Sequence, residues 1–206
     1  MLKIWGRSNS VNVKKVLWCA DELGLAYERR DAGMQFGVVN EPWYRELNPN
    51  GLVPTIEDDG LVLWESNAIV RYLAAKHGGG SLSPADPGER AASDKWMDWT
   101  LSSLIGPYRD VFWGMVRTEP EKRDMGRIEA SRAKCVELFS MVDAALEGRR
   151  YLAGERLGIG DIPLGCFAYA WYAMPIERPA MPNLDAWYAR LCERPAYRKN
   201  VLVPLT

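Results

Sequence analysis

At 206 residues, with 48% hydrophobic and 26% charged side chains, the chain can bury one sizeable core or two modest ones, which excludes a disordered polypeptide. A formal net charge of -1 gives no basic footprint for nucleic acid, and no apolar run approaches the roughly 20 residues of a membrane span, so neither nucleic acid nor membrane is expected as a partner. One histidine and four scattered cysteines without a CxxC pair speak against a metal site or a redox pair. From the first residues onward, Leu2–Trp5 reads as a strand, with no basic stretch followed by a long apolar one ahead of it; a cytoplasmic protein is expected.

The polar cluster Ser8, Asn9, Ser10 and Asn12 leads into a helix with apolar Val13, Val16, Leu17, Ala20 and Leu23 at helical spacing and Gly24 as its stop. Ala26–Asp31 reads as a second, partly exposed strand. After an irregular segment, Val53–Glu57 and Leu61–Trp64 flank the turn residues Asp58-Asp59-Gly60 as a hairpin, and Ser66 opens a helix over Asn67–His77. This order implies an α/β domain on a mixed sheet over residues 1–78. The Gly, Ser and Pro content of residues 79–87 marks a linker. Beyond it the strand signal vanishes, and Glu89–Tyr108, Asp124–Leu146, Ile162–Trp171 and Pro182–Arg194 carry helical periodicity, so residues 88–206 are expected to be all-α. His77 reads as a cation at a helix C-terminus, residues 117–124 as a solvated inter-helix loop, and the cysteines as reduced, mostly buried thiols.

Three places offer binding chemistry. At the mouth of the first helix, unpaired amides and partial positive charge favour an anion, and the hydroxyls would add donors; the alternative is that Ser10 or Asn12 simply caps the helix. Pro54 cannot donate to a ladder, which leaves Val53 with free backbone groups that a peptide-like ligand can pair with; the residues alone predict a trans bond, since only about 5–6% of X-Pro bonds are cis. Ser66 is either an N-cap or, with the free amides, a carboxylate pocket, and Glu65 beside it suits an ammonium. An amino-acid moiety carries both charges on one carbon and fits that pair.

In order, "GRSNSVNVKK", "NPNGLVPTIEDD", "ESNAIVRYL" and "YLAGERLGIGDIPLG" resemble the cytosolic glutathione transferase superfamily over essentially the whole chain, and most closely its bacterial members related to the theta, beta and zeta classes. The resemblance implies a thioredoxin-like, glutathione-binding N-terminal domain and an all-helical C-terminal domain that shapes the electrophile pocket. It implies a homodimeric detoxification enzyme that conjugates glutathione, as co-substrate and with no other cofactor or metal, to small hydrophobic electrophiles such as alkyl or aryl halides. Carried over residue by residue, Ser10 holds the thiolate with Asn12 as competing donor. Val53 pairs with the cysteinyl part, Pro54 is a cis-proline, Glu65 and Ser66 take the γ-glutamyl group, and Gln35 meets the glycyl end. Tyr108, Phe112, Trp113 and Met115, with Trp171, would wall the electrophile.

Two departures from the family pattern stand out. No tyrosine lies in the first strand-to-helix turn, and Gly158 stands where a Ser or Thr usually precedes Asp161 by three residues, leaving that capping pair incomplete. Two other functions fit the same residues: a glutathione-dependent peroxidase or disulfide reductase, and a non-catalytic transferase-like binding module.

Overall fold

The computed structural model describes all 206 residues, Met1–Thr206. Strands β1 (Leu2–Trp5), β2 (Tyr27–Arg30), β3 (Thr55–Asp58) and β4 (Leu61–Trp64) form one sheet in the order β2-β1-β3-β4. The pair β1–β2 is parallel, as a helical crossover requires, whereas β1–β3 and β3–β4 are antiparallel. Helix α1 (Val11–Glu22) makes that crossover. Its stop is built as expected: Leu23 closes the last turn and Gly24 takes φ 66°, a left-handed conformation that costs glycine little. Helix α3 (Ser66–His77) follows β4. At its end His77 lies 3.7 Å from Asp58, beside the closer Lys76 at 2.8 Å.

The segment expected to be irregular holds two short elements, a 3-10 turn at Met34–Phe36 and helix α2 (Pro42–Leu47). Six residues are too few for a periodic signal. Pro42 starts α2, and Tyr44 anchors it by donating its hydroxyl to the Leu52 carbonyl at 2.8 Å.

The second half is helical: α4 (Pro87–Trp99), α5 (Ile105–Phe112), α6 (Met125–Ala145), α7 (Asp161–Ala173), α8 (Pro182–Glu193) and α9 (Pro195–Asn200). Aspartates cap α4 and α6, with Asp86 accepting from the Glu89 amide and Asp124 from the Arg127 amide. The periodic run Glu89–Tyr108 is interrupted by a π-helical turn at Thr100–Leu104, and a second such turn, Trp113–Arg117, follows α5. Pro195 ends α8 but also opens α9, because proline suits the first position of a helix.

A continuous cluster of 42 buried residues runs through both halves. Helix α1 is its centre, packing on α3 from its own half and on α7 and α9 from the other. Trp18 is fully buried, its ring 4.7 Å from Tyr197, and a Cβ on Gly165 of α7 would sit 2.8 Å from the Trp18 ring. At the rim Glu22 accepts from Trp18 Nε1 at 2.8 Å and from Arg194 Nε at 2.7 Å, which ties α1 to the start of α9.

The missing hydroxyl before Asp161 is replaced from elsewhere. The Gly158 amide still donates to Asp161 at 2.9 Å, joined by the Leu152 amide at 3.1 Å and Trp187 Nε1 at 2.8 Å. Ser93 of α4 occupies the space beside Gly158 and accepts from the Gly160 amide at 2.9 Å.

Candidate active site

Two helix N-termini, those of α1 and α3, meet at one mouth. Ser10 holds the N-cap position of α1 with extended backbone angles, but its side chain makes no capping hydrogen bond; the simple cap reading therefore fails for Ser10. The residue is 7% exposed and its side chain lines a cavity of about 240 Å³. Asn12, the second residue of the helix, does not cap it either. Its Oδ1 accepts from Lys15 Nζ at 2.9 Å and from Ser66 Oγ at 3.3 Å, so it bridges the two helix starts.

Sequence reasoning missed Lys15. It is fully buried, its acceptors are Asn12 Oδ1 and, at 3.5 Å, Ser66 Oγ, and it lies 5.1 Å over the Phe167 ring. No carboxylate pairs with it. Burial pulls its ammonium down from the ordinary 10.5 to about 8, with Cys166 and Glu65 opposing. The signal was present: two lysines interrupt the otherwise apolar stretch from Val13 to Ala20.

Val53 lies just before β3 and makes no backbone hydrogen bond to the rest of the chain. The Val53–Pro54 bond is cis, against the trans bond expected from residues alone and in line with the resemblance. Close by, a Cβ on Gly33 would lie 3.5 Å from Val53, and exposed Gln35 sits in the next turn. Glu65 takes φ 73° at the N-cap of α3, a left-handed conformation that costs a residue with a side chain about 1–3 kcal/mol and is kept where a site needs it. Ser66, behind it, is buried.

The cavity beside Ser10 and Asn12 is walled by Tyr108, Phe112 and Trp113 of α5 and the following π turn, and by Phe167, Tyr169 and Ala170 of α7. Tyr108 and Phe112 stack at 6.1 Å, and Tyr108 meets Phe167 edge-on at 4.6 Å. Met115 and Trp171 are outside this wall: Met115 packs back on the core beside Arg123, which donates to its carbonyl, and Trp171 is buried against Phe139. Cys166 faces the cavity, but burial pushes its thiol up to about 12, so it is no competing nucleophile. Burial likewise raises the Tyr108 phenol well above its ordinary range and keeps it protonated.

Comparison with known proteins places the whole chain in one family. Residues 9–76 match the glutathione S-transferase N-terminal domain model and residues 97–195 the C-terminal domain model. The chain is 45% identical to glutathione S-transferase GstB of Escherichia coli K12 over 208 residues, covering all of both chains. It superimposes on a theta class glutathione S-transferase of the citrus canker pathogen Xanthomonas axonopodis pv. citri with glutathione bound, at TM-score 0.96 and 56% identity over 100% of this chain and 99% of that one. The apo form of that enzyme matches at TM-score 0.88 and 52% identity, over 100% of this chain and 98% of that one.

Proposed function

The chain belongs to the glutathione S-transferase family and is a glutathione transferase, and on that premise we propose that it holds the glutathione thiolate on the Ser10 hydroxyl and delivers it to an electrophile in the adjoining aromatic cavity. The observation that carries the assignment is the uncommitted Ser10 side chain at the cavity wall, where Asn12 has its oxygen already engaged by Lys15 and Ser66.

Glutathione would lie across the N-terminal half. Its cysteinyl backbone pairs with Val53, and its γ-glutamyl carboxylate and ammonium are taken by the α3 helix start with Ser66 and by Glu65. Gln35 is placed to meet the glycyl end. A free thiol near pKa 8.5 is mostly protonated at pH 7, and lowering it by about 2 units takes roughly 2.7 kcal/mol of preferential thiolate binding. One hydrogen bond to a charged group supplies about 1.5–3 kcal/mol, and the α1 N-terminus adds to it. No general base is needed: Ser10 stays protonated and donates, and the site positions sulfur against the electrophilic carbon.

A homodimer accompanies this reading. It is supported by the edge strand β4, which leaves Val62 and Trp64 exposed on one of its faces. The deciding experiment is Ser10→Ala against Asn12→Ala. Ser10→Ala is expected to lower kcat/KM about 10- to 150-fold and to raise the kinetic pKa of bound glutathione, with a smaller effect from Asn12→Ala. If Asn12→Ala does both and Ser10→Ala does neither, the donor is Asn12; if neither matters, the thiolate role of this helix mouth is wrong.

A further inference from the structure

The cavity wall is aromatic, yet its charged side chains are all of one sign. Arg7, Lys14, Arg109 and Arg117 line it, and no aspartate or glutamate side chain does, in a chain whose net charge is -1. A purely apolar electrophile would use none of these cations.

Two of them are buried without an anionic partner. Arg7 is only 8% exposed and its Nε has no hydrogen-bond partner. Lys14 is 4% exposed; its Nζ donates to the Val201 carbonyl at 3.1 Å and lies 4.8 Å over the Tyr169 ring. Arg117 stacks on Trp113 and Phe112, at 4.7 and 5.3 Å from the ring centres, and donates to the Thr206 carbonyl oxygen at 3.2 and 3.1 Å. Arg109 is exposed at the mouth. Burial, and the repulsion of Arg117, make the charged form of Arg7 costly here, so an unpaired guanidinium is retained at a cost in stability.

We propose that the electrophile is an anion: a small aryl halide that bears a carboxylate, with its ring against Tyr108, Phe112 and Trp113 and its carboxylate on the Arg7 and Lys14 side of the cavity. This rests on the transferase reading above. In the reaction, the glutathione sulfur adds to the carbon that carries the halogen, the C–S bond forms, and the carbon–halogen bond breaks with its electron pair leaving as halide. The thiol proton has already gone to solvent. The product keeps its carboxylate, and no oxidant or reductant is involved.

The test compares a chloronitrobenzoate, with chlorine para to the carboxylate and nitro ortho to the chlorine, with the matching carboxamide. Each kcat/KM is divided by the uncatalysed rate constant with glutathione, which removes the difference in intrinsic reactivity. The wild-type enzyme is expected to favour the acid at least about tenfold, the lower bound for one hydrogen bond to a charged group. Arg7→Met is expected to collapse that preference, and Arg117→Gln, nearer the surface, to reduce it. An amide turned over as well as the acid overturns the proposal and leaves the transferase reading standing, as does a preference untouched by either variant. Turnover of neither compound while calorimetry shows glutathione bound also overturns the proposal alone; with no glutathione bound, both readings fall.

Discussion

Replacing Lys15 by methionine isolates the energetics of the buried ammonium beneath the site. The side chain is fully buried without a carboxylate, and its pKa falls from the ordinary 10.5 to about 8. At about 1.36 kcal/mol per pH unit this corresponds to about 3 kcal/mol of destabilisation by the charged form. Between those two values the unfolded chain binds a proton that the folded chain does not, so wild-type stability rises with pH across the window. Methionine has no such titration. Lys15→Met should therefore exceed wild type in stability by its largest margin at about pH 7, and the margin should shrink by about 2–3 kcal/mol by about pH 10. Urea unfolding of both proteins at one fixed concentration measures this directly. Saturating glutathione should bring negative charge to the mouth and move the wild-type breakpoint upward. A stability difference that stays constant with pH would refute the reasoning, because Lys15 would then titrate alike in both states.

Glu65→Ala and Ser66→Ala should each weaken glutathione binding by roughly tenfold or more in calorimetry, since each removes a partner of a charged group; wild-type affinity in both would remove the γ-glutamyl assignment. Gly158→Ser should lower stability by about 1–3 kcal/mol, because its Cβ would meet Ser93 Oγ at 2.8 Å, and the loss should be smaller in a Ser93→Ala background. Sedimentation at micromolar concentration should give a dimer, and Trp64→Arg on the exposed β4 edge should shift it toward monomer; an unchanged sedimentation coefficient would place the interface elsewhere.

Strand β1, the hairpin and helices α3, α6 and α8 were legible because each carries its own period or turn, from the alternation around Ile4 and Ile56 to the Asp59-Gly60 turn. Helices α2 and α9 were not, since six residues complete less than two turns and tertiary anchors such as Tyr44 and Tyr197 hold them. Residues with backbone roles, Val53, Pro54 and Glu65, could be found from local chemistry and the family pattern. The charged wall could not. Arg7, Lys14, Arg109 and Arg117 lie on the β1–α1 loop, α1, α5 and the π turn after α5, and their convergence depends on how α5 and its flanking π turns sit against α1. The role of Ser93 beside Gly158 was hidden for the same reason, being a contact across 65 positions of sequence.

The burial of α1 between both halves limits how this enzyme can acquire new substrates. The helix that presents Ser10 at one end carries Trp18 into α7 and α9 along its length, so enlarging the cavity by substitutions on the buried face of α7 would also disturb the support of Ser10. Substitutions on α5 and the π turn after it leave α1's packing alone. Variation among descendants of this chain that change electrophile but keep glutathione should therefore concentrate between Ile105 and Arg117, with α7 changing only in step with the face of α1 that it touches.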